Sequence, residues 1–535
     1  MTEHPETGPA TGLDTADAAP QGMDAAAEWQ RLDPRMLAVH PLRQLMGFLP
    51  AILVVLVVGG NDLNGRFYGL LSGVGIVVSF GLLRWLTTRY RITGERVELR
   101  HGLLFRNARS TPLDRIRSVD LTAGPVHQLF GLSVVKIGTG ERTEGTESRE
   151  LSLDAVAAAE ADRLRTRLLQ RAKAQRSGGH APGAQLTAET EQADGTVLAT
   201  LDWSWLRFAP LTVSSLVAVG AVAGAFAQFV GDLGVDPTDV TKIGGVGDEL
   251  TTAPLWLGIT LFALVVLMVA VLGSLLIFVE AWWRFRLVRE PGGTLRVRHG
   301  LLTTRSVSLE ERRLRGVEVE QPLLLRIGQG ARAMAVATGL GGRRGKSRGS
   351  LLPPAPLEEA HRVAGAVLDE HPSPTRAGLR AHPRAALRRR LVRAVVPVLA
   401  VAAVLWFAPL PSWVAWIALA ALPLTVLLGV DAYRNLGHTL TGSYLVSRHG
   451  AGVRRTVALQ RSGVIGWTVS QTIFQRRSGL VTLAATTAAG HGAYKVVDVD
   501  VAAGLAVADE AVPGLLTPFL DRGESVSAPL RSAAD

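Results

Sequence analysis

The chain has 535 residues, of which 47% are hydrophobic and only 19% are charged, less than the roughly 25% of an average soluble domain. Its formal net charge of +11 points to an anionic partner, either nucleic acid or an anionic membrane surface. It contains no cysteine, which excludes disulfides, thiolate metal sites and cysteine nucleophiles.

The N-terminal residues 1–34 are acidic and contain no apolar stretch, and the first 30 residues include no Lys or Arg. A secretory signal peptide needs a basic start followed by an apolar core. We therefore expect a disordered acidic tail rather than a signal peptide. We expect residues 513–535 to be a second disordered tail.

Six apolar runs predict membrane-spanning helices, because a span needs about 20 mostly apolar residues. The runs are paired across turns, at residues 45–60 with 67–86, 206–230 with 255–280, and 392–408 with 413–430. Each pair predicts a hairpin, and the hairpin regions are 35–89, 203–283 and 392–432. The first and fifth runs are short, so a merged or re-entrant segment is the alternative there.

The arginines predict an orientation for these hairpins. They are concentrated at the hairpin ends and are rare in the three turns. By the positive-inside rule the turns lie outside, and both termini and all other regions lie in the cytoplasm. Most of the net charge then lies next to the membrane, where it favours anionic inner-leaflet lipids as partners and disfavours nucleic acid.

A sequence pattern recurs after each hairpin. Arg-His-Gly occurs at 100–102, 298–300 and 448–450. In the first two copies it is followed at equal spacing by Arg-Ile-Arg-Ser-Val-Asp-Leu at 115–121 and Arg-Leu-Arg-Gly-Val-Glu-Val at 313–319. Apolar and polar residues alternate over short segments around these motifs, which predicts half-buried antiparallel strands.

Helical spacing of apolar residues predicts a closing helix in two of the copies, at 154–172 and 356–370. The third copy offers only a short Ala-rich run near 501–512. The pattern thus predicts three small domains, at 90–172, 284–370 and 433–512. The segments 173–202 and 371–391 are predicted to be linkers, and the second of them is basic.

Two spans followed by strands with Arg-His-Gly-Leu-Leu and then Arg-Ile-Arg-Ser-Val-Asp-Leu resemble the bacterial pleckstrin-homology-like (PH-like) membrane family, the YdbS/YdbT-like proteins. The segments 464–469 and 475–480 resemble the last domain of its triple-copy members. The resemblance implies a bent antiparallel sheet or barrel capped by a C-terminal helix in each domain, and residence in the bacterial plasma membrane. The expected fold class is mixed membrane α plus β, with six transmembrane helices in three hairpins that alternate with three PH-like domains. The family implies no catalytic residue and no cofactor.

Ten arginines near the spans or in a basic loop are candidate contacts for lipid head groups. They are Arg84, Arg89, Arg91, Arg284, Arg286, Arg343, Arg344, Arg388, Arg389 and Arg390. The loop at 339–347 contains Gly-Lys-Ser but lacks the spacing of a phosphate-binding P-loop, so we interpret it as a basic loop between strands.

The Arg-His-Gly repeat has two interpretations, a repeated binding spot or a hairpin turn. Its residues are His101, Gly102, His299, Gly300, His449 and Gly450. A turn is favoured, because glycine supplies the positive φ that a tight turn needs. No cluster of His and carboxylate residues with metal-ligand spacing is present in the sequence, so no metal site is expected.

The favoured hypothesis is a non-enzymatic membrane protein whose tethered domains bind a protein or peptide partner or anionic lipid head groups, in envelope homeostasis or defence. The alternative is a lipid-handling or small-molecule transporter formed by the six spans, with the domains as regulators. Ionisable residues lie only at the span ends, which disfavours an ion-coupled mechanism. Gly-x-x-x-Gly at 69–73 and 220–224 allows close helix contact within one chain or between chains, so a homo-oligomer is compatible with the sequence.

Overall fold

The computed structural model describes residues 29–37, 85–93, 96–101, 107–113, 118–138, 151–176, 195–212, 255–340, 348–409 and 411–516, with a few isolated positions between them. Within these residues, three units with the same order of elements follow one another. Each unit has an N-terminal and a C-terminal group of strands, a one-turn helix within the second group, and a closing helix.

The strands and helices are numbered in chain order. Unit 1 contains β1 (Gln30–Arg31), β2 (Arg89–Ile92), β3 (Arg96–His101), β4 (Asn107–Pro112), β5 (Ser118–Ala123), α1 (Pro125–Leu129), β6 (Leu132–Gly138), β7 (Leu151–Ala157) and α2 (Ala158–Arg176). Unit 2 contains β8 (Thr196–Thr200), α3 (Leu255–Trp282), β9 (Arg286–Glu290), β10 (Thr294–His299), β11 (Thr304–Glu310), β12 (Leu314–Pro322), α4 (Leu323–Ile327), β13 (Gly330–Ala337), β14 (Ser350–Pro356) and α5 (Leu357–Leu368). Unit 3 contains α6 (Arg384–Phe407), α7 (Ser412–Ala420), α8 (Leu422–Arg434), β15 (Gly437–Thr441), β16 (Tyr444–His449), β17 (Val453–Gln460), β18 (Gly466–Ser470), α9 (Ile473–Arg477), β19 (Leu480–Thr486), β20 (Ala493–Asp500) and α10 (Val501–Ala511). The short Ala-rich run of the third copy is therefore a helix that closes a complete unit.

Each predicted hairpin region is inserted after the first extended segment of its unit rather than before the unit. β1 pairs with β2 across residues 32–88, and β8 pairs with β9 across residues 201–285. In unit 3 the corresponding contact is a single bridge between Arg380 and His438. The segments predicted to be a tail and linkers, 1–34, 173–202 and 371–391, therefore contain residues that pair with the folded units. A hairpin region separates each of these segments from its unit, so no local sequence signal connects them.

Neighbouring units share continuous sheets. β5 of unit 1 pairs antiparallel with β11 of unit 2, and this pairing joins the two units in one seven-stranded sheet. β12 of unit 2 pairs antiparallel with β17 of unit 3, which gives a six-stranded sheet. We call these two strand pairings joint 1 and joint 2. The backbone hydrogen bonds of each joint fix the units edge to edge.

Each closing helix packs an apolar face onto its own sheets. In unit 1, Ala161, Leu164 and Leu168 of α2 are buried against the core, and in unit 2, Val363 and Val367 of α5 take the same role. The helix α2 begins at Ala158, four residues later than predicted, because residues 154–157 complete β7. Burial of an aliphatic side chain of this size contributes about 1.5–3 kcal/mol.

Three helices of the described residues are long and apolar enough to cross a membrane: Ala263–Trp282, Arg384–Phe407 and Ser412–Arg434. The last of these is divided at Ala421, two residues before Pro423, where α7 ends and α8 begins. α6 and α8 approach closely, since a Cβ on Gly429 would lie 3.3–3.4 Å from Leu391 and Ala394. The predicted spans at 45–60 and 67–86 lie almost entirely outside the described residues.

The prediction of a span that begins at residue 206 was wrong. Trp203–Leu211 is a 3-10 helix, capped by the Asp202 side chain and containing Pro210. Phe208 is 1% exposed and belongs to the core of unit 2, together with Trp205 and Ala209. These residues are apolar because they pack under a β-sheet. Composition alone does not distinguish that role from a membrane span.

Candidate functional site: an arginine groove at the membrane end of unit 2

The repeated Arg-His-Gly residues lie at the end of one equivalent strand in each unit. β3, β10 and β16 end at His101, His299 and His449. Gly300 has φ +110° and Gly450 has φ +122°. A Cβ on Gly300 would lie 2.1 Å from the carbonyl oxygen of Thr303, so only glycine fits this turn. The side chain of His101 and Gly102 lie outside the described residues.

In unit 2 this turn contacts the C-terminal end of the membrane helix α3. The His299 ring stacks on Trp282 with 4.7 Å between ring centroids, and its Nδ1 lies 2.6 Å from the carbonyl oxygen of Ala281. Burial lowers the pKa of His299, so the ring is neutral at pH 7 and its Nδ1–H donates to that carbonyl. The backbone N–H of Gly300 donates a hydrogen bond to the carbonyl oxygen of Trp283. The histidine thus fixes the β-sheet to the end of a candidate span.

His449 occupies the same turn in unit 3, with different surroundings. Burial, followed by the charge of Arg455, lowers its pKa to about 4. Its Nδ1 has no hydrogen-bond partner within the described part of the chain. The residue of unit 3 that is equivalent to His299 is therefore a half-buried, neutral ring.

Two arginines face each other across β9 and β10, next to the His299 turn. Arg286 lies directly opposite Arg298 in the strand register. Both side chains are exposed, and neither has a carboxylate partner among the described residues. Like charges directly opposite on neighbouring strands repel each other, so this pair favours an anion between them. Arg284, also exposed, precedes β9 with φ +51°.

The three arginines line a groove of about 940 Å³ at the end of α3. Trp203 and Trp283 form another wall, with ring centroids 5.3 Å apart in an edge-to-face arrangement. Unit 1 contributes Gln128, whose Nε2 donates to the carbonyl oxygen of Leu302 at 2.8 Å. Because α3 ends at Trp282, the groove lies where a membrane would meet water, which is the level that tryptophan prefers.

Unit 1 repeats the arginine pair, and unit 3 does not. Arg89 lies opposite Arg100 in unit 1, whereas Gly437 lies opposite Arg448 in unit 3. The guanidinium of Arg100 lies 4.3 Å from the ring centre of Trp29, a cation–π contact. The residue equivalent to Arg286 is thus Arg89. Arg91 instead donates to Glu98 at 2.7 Å.

Several other candidate arginines are engaged in the fold. Arg389 and Arg390 bind the fully buried Asp498 at 2.5 and 3.1 Å, and are therefore not exposed to head groups. Gln475 also donates to this carboxylate, at 2.8 Å. Arg388, near the start of α6, is exposed and stays a candidate contact. Arg84, Arg343 and Arg344 lie outside the described residues.

Next to Asp498 lies a pair of buried histidines that the sequence analysis missed. His382 Nε2 lies 3.0 Å from His438 Nδ1, and His382 Nδ1 lies 3.1 Å from the backbone oxygen of Asp498. Burial is the main cause that lowers the pKa of His438 to about 4. The cluster of His382, His438 and Asp498 joins the start of α6 to both sheets of unit 3. The described residues contain no group of acidic and histidine side chains that could hold a metal ion.

The comparisons with known proteins agree with this repeated architecture. The family model "Bacterial PH domain" matches residues 40–172, 239–371 and 392–509. The first extended segment of every unit precedes its matched region, as expected for a strand separated from its unit by a hairpin. The chain is 23% identical over 473 residues to "UPF0699 transmembrane protein YdbT" of Bacillus subtilis (strain 168), which covers 85% of this chain and 92% of that protein. No solved structure matches the chain significantly. With three matched regions that cover more than half of its length, the chain belongs to the bacterial PH domain family, as a YdbT-like transmembrane protein.

Proposed function

We propose that this protein is a non-enzymatic binding protein of the bacterial plasma membrane, and that its groove at the end of α3 binds a phosphate-bearing anionic lipid head group. The observation that carries the proposal is the pair Arg286–Arg298, which is exposed and has no carboxylate partner among the described residues. A phosphate between the two guanidinium groups removes their repulsion and accepts charge-assisted hydrogen bonds from both.

The position of the groove supports a lipid rather than a soluble anion. Trp203 and Trp283 would lie at the membrane–water boundary, and Arg284 lies beside them. Basic residues close to an anionic leaflet gain about 1 kcal/mol each. The arginines at the span ends support the cytoplasmic leaflet as the site of binding, and with it a cytoplasmic location for all three units.

Joints 1 and 2 limit the sheet edges at which a protein or peptide could bind. Peptide addition to a sheet needs an exposed edge strand. The edges of β5 and β12 are occupied by the following units. A strand-forming partner is therefore proposed to bind at the ends of the row of units, and not between them.

The double substitution Arg286→Gln plus Arg298→Gln tests the lipid proposal. Purified full-length protein in a neutral detergent is titrated with phosphatidylglycerol, and bound lipid is counted by native mass spectrometry. We expect the variant to lose at least tenfold in phosphatidylglycerol affinity, since two charge-assisted contacts are removed. We also expect lipid-free variant to be slightly more stable, by about 0.2–1 kcal/mol, because the cross-strand repulsion is gone.

A matched control is Arg167→Gln plus Arg312→Gln, which removes two exposed arginines outside the groove. The control should bind phosphatidylglycerol as the unchanged protein does. Equal lipid affinity of the groove variant and the unchanged protein would contradict the proposal. So would a groove variant that unfolds more easily, since the arginine pair would then have a structural role.

A further inference from the structure

The two joints use the same residues of the repeat in the same register. Joint 1 places Thr122 opposite Arg305, and joint 2 places Glu320 opposite Arg455. Arg305 and Arg455 are equivalent, because each lies opposite the histidine of its Arg-His-Gly turn. Thr122 and Glu320 are equivalent as well, since each lies three residues before the one-turn helix of its unit. One unit-to-unit contact is therefore repeated along the chain.

This repetition leaves one unused edge at each end of the row. The strand equivalent to β5 and β12 in unit 3 is β18, which pairs only with β19 within the described residues. The strand equivalent to β11 and β17 in unit 1 is β4, which pairs only with β3 there. The two free edges are the equivalents of the two strands that form each joint.

The side chains at the free edges are exposed where their equivalents are buried. Val469 of β18 is 48% exposed, whereas Leu121 in joint 1 is 7% exposed and Val319 in joint 2 is 1% exposed. Ser110 of β4 is exposed, whereas Ser308 and Ala458 at that position are 1% and 0% exposed. An apolar, unprotected edge strand is a site for pairing with another chain.

The backbone of β18 also leaves space for a neighbouring strand. A Cβ on Gly316 in joint 2 would lie 2.1 Å from the carbonyl oxygen of Ala458 in the next unit. Gly466 occupies the equivalent position of β18 with nothing within 4 Å. Unit 1 has Ser118 there, so a glycine is compatible with the contact without being required at every joint.

The ion pair of joint 2 has no charged counterpart at the equivalent positions of the free edges. In the internal joints, Asp120 binds Arg348 at 2.7 Å and Glu318 lies 3.7 Å from Arg455, each across the unit boundary. The residue equivalent to both acids in β18 is Thr468, and the residue equivalent to Arg455 in β4 is Asn107. The equivalents of the acid and the base of joint 2 are thus both neutral, so pairing of the free edges would bury no unpaired carboxylate at this position.

We propose that β18 of one copy of this chain pairs antiparallel with β4 of a second copy, in the register of joints 1 and 2, with Ser470 opposite Asn107. The internal joints connect units that are anchored in one membrane through their hairpins. The same contact between copies therefore keeps both copies in that membrane. Such a head-to-tail contact uses different surfaces on the two copies, so it extends into a row or closes into a ring.

The cysteine-free sequence makes a direct test practical. Two differently tagged full-length versions, one with Ser470→Cys and one with Asn107→Cys, are produced together, and their membranes are oxidised. Directly opposite residues on paired strands bring their Cβ atoms within about 4.5–5.5 Å, close to the distance that a disulfide requires. We expect a disulfide-linked product that carries both tags.

The matched control combines Ser470→Cys with Ala108→Cys. Ala108 is the neighbour of Asn107 and faces the opposite side of the strand, so at least tenfold less product is expected. Adding the exposed-edge substitution Val469→Lys to the Ser470→Cys chain should also reduce the linked product, because a lysine at this edge opposes strand pairing.

The mass of the unchanged protein in native nanodiscs gives an independent readout. Particles with two or more copies of the chain support the proposal. Particles with one copy, including one copy with a different protein, would overturn it, as would equal cross-linking of the Asn107 and Ala108 versions or no linked product at all.

Discussion

Replacing Asp498 by alanine should destabilise the protein by about 3–5 kcal/mol, the cost of leaving buried charges without their partner. The carboxylate is fully buried and accepts from Arg389, Arg390 and Gln475. Its removal leaves two guanidinium groups near the start of α6 with no counter-charge. We expect the loss in an equilibrium unfolding titration of the detergent-solubilised protein.

Asp500→Asn is the control for this substitution. The Asp500 side chain caps α10 by accepting from the N–H groups of Ala502 and Ala503, and asparagine caps helices about equally well. Unfolding of this variant should match that of the unchanged protein. Replacement of Arg389 and Arg390 by leucine in the Asp498→Ala background should recover part of the stability, because the unpaired charges are then absent. An Asp498→Ala protein within 1 kcal/mol of the unchanged one would contradict a structural role for the cluster.

Replacing Phe208 by alanine should also cost about 3–5 kcal/mol, the usual range for a large aromatic side chain removed from a core. The ring is 1% exposed and contacts the segment around Gly330, where an added Cβ would lie 2.7 Å from Cδ1 of the ring. This side chain holds the 3-10 helix Trp203–Leu211 in the core of unit 2. The same unfolding titration measures the effect.

Leu276→Ala is the comparison, because Leu276 is 71% exposed on the candidate span α3 and faces lipid in a membrane. We expect less than 1 kcal/mol for that change, since surface substitutions outside special features are usually within 0.5 kcal/mol. If Phe208→Ala had as small an effect as Leu276→Ala, residue 208 would lie in a span, and the boundary of unit 2 given above would be wrong.

The sequence predicted the repeated units because hydrophobic alternation and the Arg-His-Gly spacing are local signals. Family membership is confirmed by the matches at all three units. Of the three arginines in the groove, the sequence analysis predicted Arg284 and Arg286 as head-group contacts and missed Arg298. Nothing in the sequence shows that Arg286 lies opposite Arg298, because register depends on the strand pairing.

The sheets shared between units and the buried cluster around Asp498 could be identified only from the structure. Alternation in β5 and β12 shows which side chains face inward, but not which strand is the neighbour. In the sequence, Asp498 is one of several polar residues in the segment Tyr-Lys-Val-Val-Asp-Val-Asp at 494–500, and nothing there marks it as buried. Its burial arises from a register irregularity in β20 near residues 496–499, where its φ of +58° turns the carboxylate towards α6.

All three units should lie on the cytoplasmic face of one membrane. Single cysteines can test this location, because the chain has none of its own. Arg167→Cys, Arg312→Cys and Lys495→Cys place one exposed thiol in each unit, and Ser412→Cys places one in the turn of the third hairpin. A membrane-impermeant maleimide is applied to intact protoplasts and, in parallel, to lysed ones. We predict labelling of Ser412→Cys in intact protoplasts and of the three unit variants only after lysis; labelling of any unit variant before lysis would contradict the account.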